Sequence, residues 1–168
     1  MKVEFTYREV MDFIRLHALF SKKLEDRVEA LVESGVIEDY LPIEAARQCY
    51  NKYIYEDLNY SKLIKNSFWE EVIREICGND IVIIDHLDSE INGVCCDACG
   101  FVVFEDKEDS FFEICPVCAW QNDGKKGEQY SSSNHCTMVD YKSKEDFDEK
   151  VKRGEKKYVN ISNSNDKY

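Results

Sequence analysis

Hydrophobic residues in the first part of the chain recur at helical spacing, whereas in the second part they gather in short clusters between charged turns. Thr6-x-x-Glu9 is a capping box, in which a hydroxyl and a carboxylate satisfy each other's orphan amides. It opens a helix whose broad apolar face runs through Val10, Phe13, Ile14 and Leu16 to Phe20. A second stripe carries Leu24, Val28, Leu31 and Val32, and Gly35 suits its C-terminal stop. The pattern admits either one continuous helix or a second one beginning at Ser21. Pro42 begins another predicted helix through Ala45, Ala46, Cys49, Tyr50 and Tyr53, and residues 57–60 break it. Ser67-x-x-Glu70 is a further capping box, before a helix with Phe68, Val72, Ile73 and Ile76 that Gly78 closes. Ile81 to Ile84, β-branched or aliphatic throughout and bounded by Asp80 and Asp85, reads as a short buried strand.

After a polar junction at 88–93 the period changes. Strand-like segments are expected at Phe101–Phe104, Phe111–Ile114 and Thr137–Tyr141, with a charged tip at 105–110 and a long polar loop at 121–134. Ser143-x-x-Asp146 is read as the cap of a last helix through Phe147 and Val151 to Gly154. Tyr158 to Ile161 suits one more strand, and residues 162–168 a frayed tail.

Cys96-x-x-Cys99 and Cys115-x-x-Cys118 alter the picture most. A two-residue gap lets both sulfurs of a tight turn face one ion, and a hairpin between the turns brings the pairs together as a tetrahedron. Gly100 relieves the turn after the second ligand, and Pro116 stiffens the other turn by fixing φ. The four sulfurs are the expected ligands of one structural Zn²⁺, since four protein ligands leave no open position for a reacting water. The paired loops also resemble those of rubredoxins, which hold one iron, but the linker here is shorter and Ala119 stands where they have glycine. Iron is therefore the less favoured metal. Cys95, His135 and Cys136 are weighed as a second site and read instead as packing or idle thiols. Cys49 and Cys77 are expected to be buried small hydrophobes. Asp85-His86 is the one acid–base pair in the helical part, and no placed nucleophile accompanies it. Trp69 and Trp120 are read as core anchors.

Composition narrows the function classes. An apolar share of 43% is enough for a packed core, so disorder is not expected. The formal charge of −12, with acids in excess in both halves, lacks the basic footprint that phosphate neutralisation requires. The opening Met1-Lys2-Val3-Glu4-Phe5 has no continuous apolar run, and no segment is long enough to span a bilayer. The cytoplasm is the expected compartment, where eight reduced cysteines favour metal ligation over disulfides.

With the cysteines laid out, a resemblance can be stated. Glu113-Ile114-Cys115-Pro116-Val117-Cys118-Ala119-Trp120-Gln121-Asn122-Asp123 resembles the second motif of the bacterial CPCC-type cysteine-rich domain, E-I-C-P-V-C-[FY]-W-E-D-D. Cys96 to Phe101 falls where that family reads C-P-C-C-G-Y, with Asp97 and Ala98 in place of the naming Pro-Cys. Asn134-His135 and the acidic helix after it resemble the family's G-P-N-x-x-S-L helix start. The resemblance spans residues 94–154 or so. It implies kinship with small bacterial proteins encoded near toxins, where an immunity role is inferred.

The expected fold is therefore α+β: a helical module at 1–92 ending in a short strand, a zinc-ribbon-like domain at 93–161, and a tail. The expected function is a non-enzymatic zinc-binding protein that captures another protein, a basic toxin effector that it neutralises. A nucleic-acid-binding zinc-ribbon regulator is the alternative.

Overall fold

The computed structural model describes residues 2–38, 40–108 and 110–161, so the tail expected at 162–168 lies outside the described residues. The architecture is α+β, with helices first, small sheets after them and a helix near the end. Two compact units divide the chain: Met1–Ser61 with Asn79–Ile84, and Lys62–Gly78 with Asp85–Tyr168. The boundary expected at 92/93 thus falls inside the second unit. Ile64 and Lys65 explain why, since their backbone pairs with the C-terminal segment: Lys65 N–H donates to Lys157 O at 3.0 Å, and Ile64 bridges Tyr158.

In the first unit, β1 (Val3–Phe5) lies parallel to β2 (Ile81–Ile83), with Val3 opposite Ile81 and Phe5 opposite Ile83. The aliphatic strand appears where the sequence places it; its partner has exposed side chains on both faces and gives no alternating signal. Helix α1 (Tyr7–Ser21) opens on the expected capping box, with Glu9 N–H donating to Thr6 Oγ1 and Thr6 N–H to Glu9 Oε2 at 2.8 Å. Those bonds from Thr6, backbone first, hold the Glu9 carboxyl below the usual carboxylate range. Val10, Met11 and Ile14 are buried; Phe13, Leu16 and Phe20 face outward, so the apolar face is narrower than the pattern indicated.

Lys22 and Lys23 are extended, and α2 (Leu24–Glu33) is a separate helix. It stops in a Schellman motif: Gly35, at φ +68°, donates to Val32 O, and Val36 donates to Leu31 O, each at 2.9 Å. Val36 then packs on the cluster of Val28, Leu31, Ile37, Ala45 and Ile54. The helix predicted from Pro42 is broken into α3 (Pro42–Ala45), a 3-10 turn (Gln48–Tyr50) and α4 (Asn51–Asp57), because Arg47 is extended. Arg27 stabilises the break, donating to Ala45 O at 3.1 Å and to Asn51 Oδ1 at 2.9 Å.

In the second unit, α5 (Asn66–Cys77) begins one residue before the predicted box, and Ser67 does not cap it. The Asn66 N–H donates to Asp88 Oδ1 at 2.7 Å, and its side chain donates to Asp85 O, so a carboxylate from the turn at Asp88–Glu90 does the capping. Gly78 ends the helix in the left-handed region, as expected.

Next, β3 (Val94–Cys95) pairs antiparallel with β4 (Val102–Phe104) across an irregular register. The strand expected at 111–114 is a turn, joined to the chain after the second knuckle by a bridge between Ile114 and Gln121 and by backbone bonds of Phe112 and Glu113 with Asn122. Within and after the polar loop, β5 (Tyr130–Ser131) pairs with β6 (Cys136–Thr137), and α6 (Met138–Lys142) replaces most of the strand expected at 137–141. The Thr137 hydroxyl caps α6 by accepting from Asp140 N–H at 3.1 Å. Ser143 ends that helix rather than starting α7 (Phe147–Glu155), whose first flanking residue is Asp146. Gly154 is not a stop but a buried contact: a Cβ there would sit 2.5 Å from Val117 Cγ1 and 3.2 Å from Phe101 Cε2. The segment expected as a last strand forms isolated pairings, with Asn160 bridging Phe101 and Val102 N–H donating to Val159 O at 2.9 Å. Among the described residues no helix is long and apolar enough to cross a membrane.

Candidate metal centre

Each C-x-x-C unit folds into the same knuckle. Cys96 N–H donates to Phe101 O and Gly100 N–H to Cys96 O; Cys115 N–H donates to Trp120 O and Ala119 N–H to Cys115 O, all at 2.8–2.9 Å. The turn ends in the left-handed region both times, at Gly100 (φ +76°) and at Ala119 (φ +63°). Phe101 and Trp120 follow, both buried, and anchor the knuckles in the core. Glycine adopts this backbone freely; alanine does so against its Cβ.

The two turns face each other. Cys96 Sγ lies 3.6 Å from Cys118 Sγ, Cys99 Sγ lies 3.6 Å from Cys115 Sγ, and all four sulfurs fall within 4.8 Å of one another. A tetrahedron with metal–sulfur bonds of about 2.3 Å has edges of about 3.8 Å, so the donor set fits one tetrahedral thiophilic ion. Every ligand is buried, and all eight cysteines are free of disulfides. Four sulfurs this close cannot all carry charge unless a cation sits among them. Their mutual hydrogen bonds accordingly push Cys115 down, through Cys118 first, and Cys99 and Cys118 up, through Cys115 first.

The surroundings hold the knuckles in place through contacts distant in sequence. Tyr141 OH donates to Cys118 O at 2.8 Å while its ring meets Trp120 edge-on, and Phe147 meets Tyr141 in the same way. The Asn160 amide reaches Cys99 O at 3.3 Å. Asn134 clamps the loop behind the second knuckle: its side chain accepts from Gln121 N–H and donates to Gln121 O, both at 2.8 Å. Buried Ser131 donates to Asp123 and accepts from Asn134. Lys126 pairs with Asp97 at 2.8 Å, joining that loop to the first knuckle. None of these supports has a local sequence signature; the Asn134 motif was the one visible trace.

Other candidates fare differently. Cys95 is half-buried, its thiol pushed up chiefly by burial, and Cys136 donates to Asn134 O; with His135 they form no metal-holding group among the described residues. Cys49 and Cys77 are exposed, not buried as expected, since the break at Arg47 and the last turn of α5 turn them outward. His86 Nε2 lies 2.6 Å from the Lys62 carbonyl oxygen. Trp69 and Trp120 are core residues. Neither the curated proteins nor the solved structures contain a match to this chain. Residues 94–157, which hold all four sulfurs and every support just described except Asn160, match the family described as cysteine-rich CPCC.

Proposed function

We propose that the protein is a non-enzymatic binding protein of the cytoplasm, that one Zn²⁺ on Cys96, Cys99, Cys115 and Cys118 stabilises its second unit, and that it neutralises a basic toxin effector. All-sulfur tetrahedral sites hold zinc or iron, the short linker and Ala119 favour zinc over a rubredoxin-type iron, and four protein ligands leave no position for substrate. The observation that carries the binding role is an acid-lined groove of about 500 Å³ in the first unit. Asp26, Glu29, Glu33 and Asp57 line it, with Lys22 as the single cation among the described residues. Such a surface, on a chain of net charge −12, steers a positively charged partner into encounter and loses that advantage as salt rises.

Co-expression with the neighbouring toxin-like gene product is expected to restore growth, and the two chains to copurify. Charge reversal by Glu29→Lys with Glu33→Lys slows association about tenfold at low salt. Absence of both rescue and complex formation would remove this reading.

The nucleic-acid alternative has one observation in its favour. Lys150, Arg153 and Lys157 line a cleft beside Pro116 and Val117 of the second knuckle. Lys150 and Arg153 are already paired with Asp146 and Glu149, which weakens their call on phosphate. A gel shift whose affinity falls steeply with salt would favour this reading.

A further inference from the structure

Between the two knuckles the chain makes a turn that places two aromatic rings in water. Phe111 and Phe112 are 54% and 55% exposed, their ring centroids are 4.3 Å apart in an edge-to-face pair, and Ile114 beside them is 60% exposed. Isolated exposed hydrophobes are ordinary; a clustered aromatic pair with an aliphatic neighbour is not.

Two features separate this turn from a slack loop tip. Phe112 has φ +64°, a left-handed backbone that a bulky side chain adopts only at a cost. The turn is also bonded on every side. Phe112 N–H donates to Asn122 O at 2.7 Å, and Gln121 Nε2 donates back to Phe112 O at 2.9 Å. The Asn122 amide donates to Ser110 O, and buried Ser110 donates to Lys107 O at 2.8 Å. The rings are therefore held ready, which lowers the ordering cost of inserting them into a partner.

The flanking charge specifies that partner. Glu105, Asp106, Glu108 and Glu113 are exposed in the adjoining chain, against Lys107. We infer that Phe111, Phe112 and Ile114 form a preorganised knob that enters an apolar pocket on another protein, and that basic residues rim this pocket. The inference deepens the protein-binding reading and rests on it for the existence of a partner, while adding a contact on the second unit to the groove of the first.

The test uses the full-length chain and a phage-displayed library of random linear peptides. Enriched peptides are expected to join aromatic or aliphatic residues with Lys and Arg, and to bind Phe111→Ala and Phe112→Gly about 30-fold more weakly. Phe112→Gly separates display from structure: with that loss of binding it is expected to raise the melting temperature by a few degrees, since glycine relieves the positive φ. Peptides that bind both variants as well as the parent overturn this surface and leave protein binding intact. Self-association through the knob, seen as dimers lost in Phe111→Ala, replaces the basic partner with a second copy and overturns it too. A lowered melting temperature in Phe112→Gly makes the residue structural and likewise refutes the inference.

Discussion

The two units hold together by different physics. In the first, Val28, Leu31, Ile37, Ala45 and Ile54 meet because helical periodicity sets them on facing stripes, and cohesion is spread over many small apolar contacts. In the second, sheets of two or three residues per strand cannot sustain themselves, and four buried sulfurs sit among the buried side chains of Phe101, Val102, Trp120 and Tyr141. A spread core loses stability in proportion to what is removed. A unit tied together at one cluster of four sulfurs is expected to lose most of it at a single step.

Metal removal should break the comparison most visibly. Stripping the ion with a chelator, or substituting Cys115→Ser, is expected to cost the second unit on the order of 10 kcal/mol and unfold it. Helices α1 and α2 should keep their amide protection in hydrogen exchange. Loss of protection in both units at once would mean that the sulfurs support the whole chain.

The converse change is smaller. Leu31→Ala empties the centre of the helical cluster, where Leu31 is 1% exposed, and is expected to cost about 2–5 kcal/mol. Metal content should not change; if it falls, the two units are not separately maintained. Gly154→Ala adds a methyl against Val117 and is expected to cost about 1–3 kcal/mol in the second unit. Val117→Ala in the same chain should restore most of that, as a double-mutant cycle in denaturant will read. The smallest effect belongs to Ala119→Gly, which gives the second knuckle the residue that the first has at Gly100. A gain of about 0.5–1 kcal/mol is expected, and a loss would show that the alanine methyl is needed for packing.

What could be read from sequence follows the range of each interaction. The cluster of four cysteines was legible because each knuckle closes within four residues and announces its sulfurs by spacing. Thr6-Glu9 was legible for the same reason. Ser67-Glu70 has the same spelling and failed, because Asp88, twenty-two residues away from Asn66, reaches the first free amide. The assignment of α5 to the second unit depends on pairing with residues about ninety positions later, which no local pattern encodes. Arg47 broke a plausible helix because Arg27 of α2 satisfies the groups at the break. Phe111–Ile114 had strand composition yet turned, since Asn122 and Gln121 supply its bonds from across the loop. The function was less legible than the cluster, because four buried sulfurs say what could hold the second unit together and not what the chain does.

Elemental analysis of protein purified without chelator tests the central claim most directly. One zinc per chain in the parent, and none in Cys115→Ser, is the predicted result. A parent chain without bound transition metal, or a variant that holds as much as the parent, would contradict a four-sulfur centre organising the second unit.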